Sequence, residues 1–112
     1  MEIRQLAELA EMEVLCLCAP NREIENIFCG DLLSWAMGRA QEGACWCTVM
    51  GNLNTIAVAS LKEAACVVLC EGAECPPEVA QRAETAGVNL LRCPLPEFET
   101  ALLAARAAGL VP

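Results

Sequence analysis

The chain has 112 residues, 56 % of them hydrophobic and 20 % charged, which excludes a disordered segment and fits one globular domain over residues 1–112. Fifteen acidic residues against seven basic ones leave a net charge of −8, which argues against a nucleic acid or an anionic membrane surface as partner, since both need a basic face. Histidine is absent and Lys62 is the single lysine, so no Ser-His or Cys-His nucleophile pair is available, no catalytic residue is assigned, and the chain is expected not to be an enzyme.

The first apolar periodicity, Ile3, Leu6, Ala7, Leu9 and Ala10, predicts a helix over residues 3–11. Val14–Cys18 is a short, continuously apolar run of the kind that forms a strand buried on both faces, and Pro20 stops it. A second strand is predicted over Ile24–Cys29. Gly30-Asp31 then turns the chain, with Asp31 as N-cap of a helix over Leu32, Leu33, Trp35, Ala36 and Met37. Ala44–Met50 is the third strand. Gly51-Asn52 turns into a helix capped by Asn54 or Thr55 and running to about Ala64. Cys66–Cys70 is the fourth strand, and Pro77 suits the first turn of a helix that ends at Gly87. Val88–Arg92 is the fifth strand, Cys93–Pro96 a rigid connector, and the last helix runs from about Pro96 to Ala108.

Short apolar strands alternating with helices predict a three-layer α/β/α fold, a mostly parallel five-stranded sheet with helices on both faces. The first two strands are too close in sequence for a helical crossover, which leaves an antiparallel pairing open for one of them. Residues 43–61 carry no charge and are long enough to cross a bilayer. Gly51, Asn52 and Asn54 in the middle of that stretch identify it instead as strand, turn and helix. The N-terminus, with Glu2, Arg4, Glu8 and Glu11, lacks the basic-then-apolar pattern of a signal sequence, and a cytoplasmic setting with reduced thiols is expected.

Nine cysteines prompt a test for metal or redox chemistry. Cys16 and Cys18, Cys45 and Cys47, and Cys66 and Cys70 are evenly spaced on predicted strands, so each pair shares a sheet face with Cα atoms about 6.6 or 13 Å apart. A tetrahedral zinc needs sulfurs about 3.8 Å apart. The favoured reading is cysteine as a small buried hydrophobe, with no metal and no cofactor. A redox or metal-binding protein is the alternative, and Cys29, Cys75 and Cys93, at loops or strand ends, are the candidate reactive thiols.

Candidate ligand contacts follow from the expected topology. A parallel sheet gathers the carboxyl ends of its strands, and the N-termini of the following helices, at one edge. Gly30-Asp31, the Gly51, Asn52, Asn54 and Thr55 turn, and Glu71-Gly72 fall there. Helix N-termini favour an anion, while Asp31 and Glu71 favour hydroxyls, amines or a bridging cation. Glu97 and Glu99 read as a solvated face at a positive helix end. A mean hydropathy of +0.43, with a helix apolar on more than one side around Trp35, predicts a homodimer.

Cys29-Gly30-Asp31-Leu32-Leu33-Ser34 with Met37, the helix Asn54-Thr55-Ile56-Ala57-Val58-Ala59-Ser60-Leu61-Lys62, and Ala86-Gly87-Val88-Asn89-Leu90-Leu91 resemble segments of DRTGG domains, over residues 1–109. Where other members carry Asp-Arg-Thr-Gly-Gly, this sequence has Gly51-Asn52-Leu53-Asn54-Thr55 and lacks the arginine. The resemblance implies an α/β domain like the N-terminal, non-catalytic domain of HPr kinase/phosphorylase. It also implies a regulatory or assembly role, through self-association and binding of a protein partner or a small, nucleotide-like ligand. Related copies accompany CBS pairs in regulated pyrophosphatases. Small stand-alone copies accompany iron hydrogenase and electron-transfer systems.

Overall fold

In the computed structural model, which describes residues 1–112, the apolar runs become the middle of one sheet. The elements in chain order are α1 (Ile3–Ala7), β1 (Glu13–Cys16), β2 (Asn26–Cys29), α2 (Leu33–Arg39), β3 (Ala44–Thr48), α3 (Leu53–Leu61), β4 (Cys66–Leu69), α4 (Pro77–Ala86), β5 (Leu90–Arg92) and α5 (Glu97–Ala107). The sheet order is β1-β5-β4-β3-β2. Strands β2 to β5 run parallel, and β1 runs antiparallel along β5. This is the expected three-layer α/β arrangement.

Every residue of β3 and β4 is buried, because both strands are internal and both sheet faces are covered. Trp46, Val67, Leu69 and Leu90 face a layer built by Ala36 of α2, Ile56 and Ala59 of α3, and Val79 and Ala83 of α4. Cys45, Cys47, Cys66, Val68, Cys70, Leu91 and Cys93 face the other layer, built by Ile3 and Leu6 of α1 and Ala104 of α5. Five buried cysteines therefore share one face of the sheet. Their small side chains meet the alanines of α5, and small groups on both sides let helix and sheet pack closely.

Several elements depart from expectation. The first strand is not buried on both faces: it lies at the sheet edge, with Glu13 and Val14 exposed and only Cys16 buried. Its position is held by a bidentate ion pair, Arg92 Nε and Nη2 donating to Glu13 Oε1 and Oε2 at 2.9 and 3.0 Å. Helix α1 stops at Ala7 rather than residue 11. Asp31 does not cap α2; Leu32 holds that position without a side-chain bond, because the Asp31 carboxylate is engaged elsewhere. Helix α3 is capped by Asn52, not by Asn54 or Thr55: Asn52 Oδ1 accepts from Thr55 N at 2.9 Å and from Thr55 Oγ1 at 3.1 Å. The caps at the other end of the chain agree with the reading, with Pro77 in the first turn of α4 and Gly87 left-handed at its end. No helix is long and apolar enough to cross a membrane.

Asn89 joins three parts of the chain. It is fully buried just before β5, and its amide mimics a backbone strand. Oδ1 accepts from Ala19 N at 2.9 Å, and Nδ2 donates to Ala19 O at 2.7 Å and to Ala65 O at 2.9 Å. Replacing Asn89 with Ala strands these backbone groups, so N89A is expected to lose about 2–3 kcal/mol of stability. N89D, which cannot donate, is expected to lose at least as much. Urea unfolding of the two variants checks this, and wild-type midpoints in both would refute the bridging role.

Candidate functional site

The parallel ladder brings the ends of β2, β3 and β4 to one edge. At the end of β2, Gly30 N donates to Cys47 O at 3.2 Å, and Trp46 Nε1 donates to Gly30 O at 2.9 Å. This fixes the turn so that Asp31 reaches across the end of β3. Asp31 Oδ1 accepts from Thr48 Oγ1 at 2.7 Å and from Val49 N at 2.9 Å. At the end of β4, Glu71 and Gly72 both have positive φ, 59° and 62°. Their amides donate to Leu95 O and Cys93 O at 2.9 and 3.0 Å, which ties this turn to the connector before α5.

That connector delivers a residue the sequence reading placed elsewhere. Glu97, in the first turn of α5, is half-buried beside Asp31, with the Glu71 charge nearby. Burial, the Asp31 carboxyl and the Glu71 charge together push Glu97 up to about 7. Asp31 goes the other way. Burial opposes its charge, but the Val49 amide, Glu97 and the Thr48 hydroxyl hold it below the usual aspartate value. The two neighbouring carboxyls are thus pushed in opposite directions, Glu97 up and Asp31 down.

The eight sequence-predicted residues divide into two neighbouring groups rather than lining one cavity. Asp31 and Glu71 face Glu97, with Gly30 and Gly72 shaping the turns behind them. Gly51, Asn52 and Asn54 instead line a separate cleft of about 360 Å³ with Leu53, Pro76, Glu78 and Val79. Thr55 is buried beneath it and is consumed by the Asn52 cap. Gly51 is required there, since a Cβ would lie 2.3 Å from Glu74 O. The N-termini of α3 and α4 converge on this cleft. The amides of Leu53, Asn54 and Glu78 have no acceptor in the protein.

Two apolar depressions lie elsewhere. One, of about 400 Å³, runs between the open edge of β2 and α5, lined by Ile27, Phe98, Leu102 and Val111 among others. The second, of about 510 Å³, lies beside Leu9, Leu95 and Arg106. Neither carries a cluster of polar groups.

Among the candidate thiols, Cys29 is exposed and Cys75 partly so, but Cys93 is fully buried beneath α5, where Thr100 Oγ1 donates to its sulfur at 3.5 Å. Cys18 is exposed, although its run was expected to be interior. No group of three or more cysteines and carboxylates is arranged to hold a metal ion.

A family model described as the DRTGG domain matches residues 5–107. Among solved structures, the CBS and DRTGG domains of the regulatory region of a Clostridium perfringens pyrophosphatase, complexed with its activator diadenosine tetraphosphate, align with a TM-score of 0.71 at 10 % sequence identity. The alignment covers 91 % of this chain and 45 % of that one, and the likeness is one of fold. No curated protein matches the chain.

Glu97 binds its proton more tightly in the folded state than at its ordinary value of 4.5. Its contribution to stability is therefore complete below that value and is lost as pH rises through about 7. E97Q keeps the donor and cannot ionise. Between pH 5 and 8 the wild type is expected to lose about 1 kcal/mol relative to E97Q, allowing for solvent screening of a partly exposed pair. Urea unfolding at the two pH values measures the difference. Parallel stability profiles would show that Glu97 is not raised in the folded state.

Proposed function

The chain belongs to the DRTGG domain family, and on that premise we propose that it is a non-catalytic regulatory or assembly domain that binds a small nucleotide-like ligand at the carboxyl edge of its sheet. The observation that carries this reading is the cleft between α3 and α4, where two helix N-termini meet and three backbone amides lack a partner. That arrangement suits a phosphate. Glu78 and the nearby Asp31–Glu97 pair supply acceptors, so the matching ligand presents hydroxyls or amino groups beside its phosphate, as a nucleotide does. The pyrophosphatase region of like fold is complexed with a dinucleotide activator, which makes adenine nucleotides the first ligands to try. The family's signature arginine is missing here, so backbone amides replace it as the anion-binding element.

Self-association is the second part of the proposal. Leu32 and Trp35 are 56 % and 54 % exposed, and Met37, Val49 and Leu53 add to the apolar surface around α2 and the start of α3. A patch of this kind on a small domain favours a partner, and a symmetric dimer is the commonest solution. A cytoplasmic setting, in which nine free thiols persist, belongs to the same reading. A protein partner, including one in a hydrogenase or electron-transfer system, would use the same surface.

Thermal-shift and calorimetric titration with diadenosine tetraphosphate, ATP and AMP is the direct test. Binding at a hundred times the dissociation constant is expected to stabilise the fold by about 2.7 kcal/mol. N54E puts a carboxylate on an exposed cleft position where the helix dipole tolerates it. It is expected to abolish binding at unchanged basal stability. No stabilisation by any nucleotide at millimolar concentration would refute the ligand half of the proposal.

Light scattering tests the other half. A dimer is expected at micromolar concentration, reverting to a monomer of 11.9 kDa in W35E. A monomeric wild type at high micromolar concentration would rule out self-association.

A further inference from the structure

The row of cysteine sulfurs between the sheet and α5 reaches the surface at one end. Cys29, the last residue of edge strand β2, is exposed. Its register partner on the parallel neighbour β3 is Cys47, which is fully buried. Partnered residues on adjacent strands direct their side chains to the same face, and adjacent strands lie about 4.8 Å apart. That separation falls within the Cα distance of about 4.4–6.8 Å that a disulfide spans.

The two sulfurs are chemically unequal. The Cys47 thiol beside it lowers the Cys29 thiol below its ordinary value, against burial and the opposing charges of Glu97 and Asp31. The neighbouring Cys29, Cys45 and Cys70 thiols and burial push the Cys47 thiol up. One sulfur is accessible at the sheet edge and the other is sheltered in the core. Nucleophilic and resolving thiols divide in this way in redox-sensitive pairs.

We propose that Cys29 and Cys47 form a reversible dithiol–disulfide couple that reacts with hydroperoxides. The Cys29 thiolate attacks the terminal peroxide oxygen. The O–O bond breaks, the alcohol or water leaves with a proton from solvent, and Cys29 becomes a sulfenic acid. The peroxide is reduced by two electrons and the sulfur oxidised by two. Cys47 then attacks the Cys29 sulfur; the S–S bond forms, the S–O bond breaks, and the hydroxyl leaves as water with the Cys47 proton. Two thiols and one hydroperoxide yield one disulfide, one alcohol and one water. Two equivalents of a small-molecule thiol restore both cysteine thiols by exchange and leave as their own disulfide. Because Gly30 N donates to Cys47 O, the new bond sits directly beneath the turn that positions Asp31, so the thiol state is coupled to the carboxyl edge.

The test uses the full chain, reduced, treated with one equivalent of hydrogen peroxide and examined by intact mass and peptide mapping. The wild type is expected to lose two hydrogens through a Cys29–Cys47 link that dithiothreitol removes. C29S, altered at an exposed position, is expected to form no such link and to consume peroxide at least tenfold more slowly. C47A is expected to accumulate a sulfenic acid at Cys29 that dimedone captures, with circular dichroism confirming its fold; if C47A does not fold, the C29S comparison alone decides. Retention of all nine thiols in the treated wild type, a link between other cysteines, or wild-type peroxide consumption by C29S would overturn the proposal.

Discussion

The parallel pairing of β2, β3, β4 and β5 is the constraint from which the rest of the structure follows. Parallel neighbours cannot be joined by a hairpin, so each connection crosses over as a helix; the crossovers α2, α3 and α4 cover one face, and α1 and α5 cover the other. Burial on both faces requires strands without charge, as Ala44–Thr48 and Cys66–Leu69 are. The same pairing points all four strand ends one way. Asp31, Thr48, Glu71 and the starts of α3 and α4 collect at that edge because of direction, not because of proximity in sequence.

The two covering layers are unlike in composition. The α2/α3/α4 side is filled by Trp46, Ile56, Leu69 and Leu90, large groups that set helix positions by shape. On the α1/α5 side, cysteines and alanines leave little bulk between helix and sheet. Close packing of small groups transmits displacement directly. It also places the start of α5, with Glu97, over the ends of β2 and β4, next to Asp31 and Glu71. The thiol layer and the carboxyl pair are therefore consequences of the same close approach of α5.

The edge holds two kinds of chemistry side by side. The cleft between α3 and α4 offers unpaired amides and the positive ends of two helices. The neighbouring Asp31 and Glu97 carboxyls offer acceptors. An overall charge of −8 works against a polyanion approaching from a distance. Screening beyond about 10 Å at ordinary salt leaves the local amides in control once the ligand is close.

The layer order, the five strands and the breaks between them were legible in the sequence, because short apolar runs, proline at a helix start and glycine at a helix end act locally. So were the residues gathered at the carboxyl edge, since direction follows from alternation of strand and helix. Edge position was not legible: Val14–Cys18 is as apolar as β4, and only the antiparallel docking of β1 on β5 exposes Val14. Asp31 looked like a helix cap because capping is local, yet Thr48 and Val49, seventeen and eighteen residues away, take its carboxylate. Glu97 looked like a solvated helix start until the connector through Leu95 brought it onto Asp31. Spacing along a strand showed which cysteines share a face, but the register of β2 on β3, which sets Cys29 beside Cys47, was decided in three dimensions. The sequence by itself determined what depends on neighbours along the chain. Pairings between distant segments depend on which groups the packed sheet leaves unsatisfied, and only the tertiary structure decided those.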